Sequence, residues 1–364
     1  MGENLKPEYF EISRRIGQTV DEVVARHYEN ISKTFPEKSE IVNVMVSRKV
    51  GKQKLRATAA GLAVYALIGS FIENPVLNDL FAAIELVNWD NYARNWLADG
   101  KVDSNSALNR RKVILCVGGF FHDALQIVSS YDPRYTQIFT EIDDRVLRGF
   151  QAESHLSINN ENILNNKELF EKYYSIRNIE AGGQFYENYV RLAEIFTRKR
   201  RLFKNIFYGL SSSRTNVEKL KVIYRRFGEG VQILNDLSDF IIPDTQKVST
   251  EKNSADQFSD LRTGTVSRPI WLMYDYSNGE DKEFLRSLQG KIPGSEEQRR
   301  ILELFYGSGA YDTVKKQLKD TRTELYKAVH ELDIAPRYRG LLECMMSILS
   351  SSRYYHRLDD QRIY

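Results

Sequence analysis

Two polar stretches set into apolar helices carry the residues best suited to chemistry. Val231-Gln-Ile-Leu-Asn-Asp-Leu-Ser-Asp-Phe240 places Asn235 and Asp239 four residues apart, with Asp236 beside them. On a helix this spacing puts oxygen ligands one turn apart on one face. Mg²⁺ takes oxygen ligands in octahedral geometry and keeps several waters, so the pattern suits magnesium. The other stretch, Phe81 to Asp99, starts apolar and then sets Asn88, Asn91 (or Tyr92), Asn95 and Asp99 three or four residues apart. Asn is a poor helix former, and several on one stripe are unusual for a solvated face. Plainer readings stay open at this point: a polar surface stripe for Asn95/Asp99, and a helix end before Pro243 for Asp239.

Helices must position these side chains. Few prolines and long runs with apolar residues at helical spacing predict an all-α chain. The pattern predicts helices at Tyr9 to Ser32, Lys54 to Phe71, Pro75 to Leu97, Lys112 to Ser130, Arg134 to Ser157 and Lys167 to Phe196. It continues with Asn216 to Ile241, Ser267 to Tyr276, Glu296 to Tyr306, Tyr311 to Leu332 and Pro336 to His356. Turn-rich breaks fall at 100–109, 157–166, 211–214, 243–257 and 277–297. None has the composition of an interdomain linker, so one domain is expected over 51–364, with an N-terminal helical segment, 1–50, packed on it.

Composition narrows the function. The 364 residues are 42% hydrophobic and 28% charged, enough for a large buried core. Basic and acidic residues nearly cancel, 52 against 49, so no global basic field points to nucleic acid. Arg198-Lys-Arg-Arg201 is a local basic run, of a kind that is mostly solvated surface. Cys116 and Cys344 sit in apolar stretches without ligand spacing, which argues against disulfides and zinc and for a reducing cytoplasm. No run has the apolar length of a membrane span, and the polar start does not read as a signal peptide, so a soluble protein is expected. The five histidines form no metal-binding pattern, and neither a Gly-rich phosphate loop nor a nucleophile elbow is present.

Taken together, the blocks resemble the trans-polyprenyl diphosphate synthases from about Gly51 to near His356. Val231 to Phe240 resembles Phe-Gln-x-x-Asp-Asp-x-x-Asp-Phe, which implies Gln232 and Asp236 as catalytic groups and Asn235 and Asp239 as metal ligands. Ala83-Ile-Glu-Leu86 precedes the first Asp-rich motif, placing Asn95 and Asp99 on its outer ligand positions and Trp96 on the middle one. Gly51 to Ala57 resembles a Gly-Gly-Lys-Arg-x-Arg-Pro block, implying diphosphate contacts from Lys54 and Arg56. His122-Asp-Ala-Leu125 resembles the Gly-Asp-Ala-Leu stretch of the following core helix, a packing element. Asp260 to Pro269 resembles a further phosphate segment carrying Arg262, with Thr265 in place of a lysine, and Lys252 matches a lysine upstream. Arg353 stands where terminal arginines of terpene cyclases reach the diphosphate. Asp90 and Asn91 fall where the family limits product length, implying a polar pocket wall.

The departures bear on acceptor binding: an expected arginine pair falls near Ser104/Asn105, and an expected Lys-Thr pair near Ala181/Gly182. The resemblance implies an isoprenoid-synthase helical bundle around a central prenyl diphosphate cavity. It implies Mg²⁺-dependent ionisation of an allylic diphosphate, with prenyl transfer to an acceptor, isopentenyl diphosphate or another, in a homodimer. The alternatives it leaves are a terpene cyclase on the same fold and a non-catalytic prenyl-synthase-like subunit.

Overall fold

In a computed structural model the chain is described over residues 5–32, 54–98, 113–114, 117–204, 210–241 and 257–350. These residues are almost wholly helical and fall into two compact units, each assembled from separate stretches of sequence.

The first unit contains residues 1–144, 186–224 and 328–345. Its centre is α3 (Pro75–Ala98), apolar around most of its circumference and buried from Leu77 to Ala93 at fourteen positions. A helix apolar on all sides needs neighbours on all sides. α1 (Lys6–Ser32), α2 (Leu55–Ile68) and α4 (Gly119–Ser129) provide them. α1 turns Tyr9, Ile12, Ile16, Val20, Val24 and Tyr28 inward at helical spacing. At Gly61 of α2 an added Cβ would lie 2.6 Å from the Ile16 side chain, so the glycine allows close approach of α1. α2 stops at Gly69, whose left-handed φ of 75° lets its N–H reach back to the Tyr65 carbonyl. The boundary expected near residue 50 lies among 33–53, outside the described residues.

The second unit contains residues 145–185, 225–327 and 346–364. It takes the end of α5 (Pro133–His155), then α6 (Glu161–Asn165), α7 (Lys167–Arg177) and a π-helical turn (Asn178–Gly183). That turn leads into α8 (Gln184–Lys204); the unit resumes with the C-terminal part of α9 (Leu210–Ser238). α10 (Ser259–Thr263), α11 (Arg268–Tyr276), α12 (Gly279–Ser287), α13 (Ser295–Gly307) and most of α14 (Ala310–His330) complete it. α15 (Pro336–Met346) closes the first unit.

The predicted helices are present, with differences: α4 starts at Gly119, α8 runs on to Lys204, the end expected at His356 lies outside the described residues, and the expected breaks are partly helical. The break at 277–297 contains α12, whose Asn278 side chain accepts from the Asp281 N–H at 3.0 Å and whose Leu285 is fully buried. A side-chain cap and one buried contact suffice for a short helix that a polar sequence hides. The break at 211–214 lies inside α9, and α6 occupies part of 157–166. The single helix expected from Lys167 to Phe196 carries a π-helical turn at Asn178–Gly183. No helix among the described residues is long and apolar enough to cross a membrane.

Candidate functional site

The second polar stretch ends α9, where Asp236 and Asp239 are both buried, at 2% and 5% exposure, while Asn235 faces solvent and Gln232 is half-buried. Asp236 is enclosed by α7. Arg177 donates from Nη2 to its Oδ1 and from Nη1 to its Oδ2, each at 3.0 Å, a bidentate pair. The Tyr174 hydroxyl, one turn earlier on α7, donates to the same Oδ2 at 2.8 Å. Arg177 Nε donates to Glu153 of α5 at 2.7 Å, so one guanidinium joins two carboxylates.

Aromatic stacking holds Tyr174 in place. Phe170 stacks on it at 5.3 Å and on Trp271 at 5.0 Å, and the Arg268 guanidinium lies 4.8 Å from the Tyr174 ring centre while pairing with Glu171. Burial, and then the Asp236 charge, push the Tyr174 hydroxyl well above its ordinary pKa, so it stays a donor.

Asp239 organises the backbone that follows. Its Oδ1 accepts from the Ser259 hydroxyl at 2.8 Å and its Oδ2 from the Asp260 N–H at 2.9 Å, at the start of α10. Phe258, the residue before α10, has φ of 48° and is buried edge-on against Phe240. A bulky residue in the left-handed region is strained, and such strain collects near functional segments. Asp260 Oδ2 is buried without a hydrogen-bond partner, and burial, followed by the charges of Asp239 and Asp236, pushes that carboxyl well above its usual range. Arg262 is half-buried, with Nε and Nη2 buried and unpartnered.

The π-turn that follows Arg177 packs closely against α9. A Cβ at Gly182 would lie 2.7 Å from the Gly228 carbonyl oxygen of α9, and one at Gly183 would crowd Arg225. Position 182 has no room for the threonine expected there; the missing side chains let the two helices touch. No local sequence pattern marks Arg177. Its only signal is a charged residue on a helix otherwise buried through Phe170 and Tyr174, four residues before Ala181.

The first unit holds the other expected residues. Arg56 donates to Asn88, which donates to Glu85 at 3.2 Å; burial pushes the nearby Tyr186 hydroxyl up to about 12. Lys54 is buried, with Nζ 3.1 Å from Asp21. Asp90, 1% exposed, pairs with Arg94 at 2.8 Å and accepts from the Gly118 N–H at 2.7 Å, and Arg94 also pairs with Asp143 at 2.8 Å. Burial pushes the Asp90 carboxyl up, with Arg94 opposing. Asn91 is buried and Asn95 half-buried. Asp99, Lys252 and Arg353 lie outside the described residues. In the basic run, Arg198 pairs with Glu194 and Lys199 with Asp132.

As they stand, the second-stretch side chains do not fit a divalent cation. Asp236 has three donors on its two oxygens, both Asp239 oxygens accept from protein donors, and Asn235 points to water. Among the described residues no group of three His, Cys, Asp or Glu side chains is arranged to hold a metal ion. A cavity of about 430 Å³ in this unit is lined by Tyr174, Asn178, Gly230, Ile233, Arg268 and Thr321 among others, but not by Asn235, Asp236 or Asp239.

No family profile matches the chain, and no curated protein does. Solved structures do. A decaprenyl diphosphate synthase from Rhodobacter capsulatus superposes with a TM-score of 0.70 at 14% identity, covering 94% of this chain and 98% of that one. The fold is that of the polyprenyl diphosphate synthases. A geranylgeranyl pyrophosphate synthetase from Pyrococcus horikoshii gives a TM-score of 0.68 at 16% identity over 94% of this chain and 99% of its own. A polyprenyl synthase from Caulobacter crescentus, complexed with calcium and isoprenyl diphosphate, gives 0.67 at 17% identity over 93% and 98%. At such identities the likeness is one of fold, and the all-α polyprenyl-synthase fold is what the sequence resemblance implied.

Proposed function

We propose that this protein acts on an allylic prenyl diphosphate, ionising it and passing the prenyl group to an acceptor other than isopentenyl diphosphate. The observation that carries the reading is the end of α9, where Gln232, Asp236 and Asp239 occupy successive turns in the order of the synthase motif, on a synthase fold. In the proposed reaction the allylic C–O bond breaks, its electron pair leaves with the diphosphate, and the acceptor's electrons form the new bond to carbon. Fixed cations favour the departing charge, and Arg262, with buried unpartnered donors, is the described residue best suited to it. An apolar enclosure protects the carbocation from water. Magnesium, when bound, would add Lewis-acid stabilisation of the leaving group. The reading includes a homodimer working in the cytoplasm.

A second reading, a prenyl-diphosphate-binding subunit without turnover, is favoured by one observation: Asp236 is neutralised from within by Arg177. Incubation with geranyl, farnesyl and geranylgeranyl diphosphates, with and without isopentenyl diphosphate and Mg²⁺, separates the readings. Diphosphate release that Asp239→Ala abolishes supports the enzyme. Hydrocarbon release without any acceptor would replace prenyl transfer by cyclisation. Binding without release in every arm leaves the subunit.

A further inference from the structure

We infer that Arg177 is a built-in counter-cation that neutralises Asp236, so that this carboxylate, set between the expected ligand positions Asn235 and Asp239, recruits no metal. The inference concerns binding and stands whether or not the chain turns over a prenyl diphosphate.

Three observations carry it. Arg177 is 4% exposed and its partner Asp236 2%, so the pair is a fixed part of the interior and not a surface contact that a hydrated ion could displace at little cost. The guanidinium is anchored at both ends, by Glu153 at 2.7 Å and by both Asp236 oxygens at 3.0 Å, and Tyr174 adds a third donor to Asp236. A metal on Asp236 would have to sit against that positive charge or strip a buried guanidinium of its acceptors. The backbone is close-packed beside the pair as well. Gly182 touches the Gly228 carbonyl through the π-turn that follows Arg177, and this contact leaves no space for a phosphate-binding side chain at 182. The buried cation here stands at Arg177, one helical turn before the expected Lys-Thr position, and it faces a protein carboxylate.

Mn²⁺, a paramagnetic substitute for Mg²⁺, tests this through free-ion electron paramagnetic resonance on the full chain, alone and with inorganic diphosphate. Wild type and D236N should give the same titration. R177Q should gain a site roughly tenfold or more tighter than any in wild type, the usual scale of a change beside metal ligands. R177Q/D236N should lack that site, and R177K, which keeps the charge, should not acquire it. Wild-type Mn²⁺ binding that D236N weakens would overturn the inference, as would a folded R177Q that gains nothing. If R177Q does not fold, the wild-type and D236N titrations decide by themselves.

Discussion

The polar stripes of α3 and α9 start from similar sequences and meet different fates. On α3 the stripe is absorbed by hydrogen bonding inside the first unit: Asn88 links Arg56 to Glu85, and Asp90 shares Arg94 with Asp143 while capping Gly118. On α9 the two acids remain, one neutralised by a buried arginine and the other spent on organising the next backbone segment. Where alternative partners surround an acid, its charge is dispensable. Where one guanidinium serves it, the charge is structural.

Breaking the α9 pair should have the largest effect. Arg177→Leu leaves Asp236 and Glu153 facing each other without a cation, and losing one partner of a buried pair costs about 3–5 kcal/mol; urea unfolding monitored by circular dichroism measures it. Gly182→Ala comes next, because the new methyl meets a backbone carbonyl that cannot turn aside. Overpacking of this kind costs about 1–3 kcal/mol, and a smaller loss would mean that the π-turn can shift.

Asp90→Asn should act in the opposite direction. Arg94 keeps Asp143, an amide oxygen still accepts from Gly118, and the cost of burying a charge disappears. Because the folded carboxyl lies above its unfolded value of about 3.9, wild type holds this stability below that pH and loses it as pH rises through the folded value. The variant should therefore match wild type near pH 4 and exceed it at neutral pH by up to about 1 kcal/mol, read from denaturation midpoints across pH. A loss at neutral pH would show that the α3 ion pair is as structural as the α9 one. Asn235→Asp is the smallest change. The side chain is exposed, so stability should move by no more than about 0.5 kcal/mol, and any gain in Mn²⁺ affinity would mean that the ligand position, more than Arg177, governs metal binding.

Much of the architecture was legible because apolar spacing carries it. α1 and α9 bury the faces that their periodicity marks, and α3, apolar nearly all round, is buried on most sides. α12 was hidden because its cap at Asn278 and its one buried anchor, Leu285, are too sparse a pattern to stand out from a polar loop. The site was legible as positions more than as roles. Asp236 and Asp239 share a stretch with Asn235, yet two are buried and one faces water, since Asp236 turns toward Tyr174 and Arg177 while Asp239, just past the end of α9, is covered by Ser259 and Asp260.

Sequence alone determined the all-α class, the helices that matter and the stretch at the end of α9, because hydrophobic periodicity and motif order are local properties of the chain. Only the tertiary structure decided what the carboxylates hold. Arg177 lies 59 residues from Asp236 along the chain, and beyond it Gly182 packs on the Gly228 carbonyl of α9 with no room for a Cβ. Such a contact follows from packing, which no local pattern encodes.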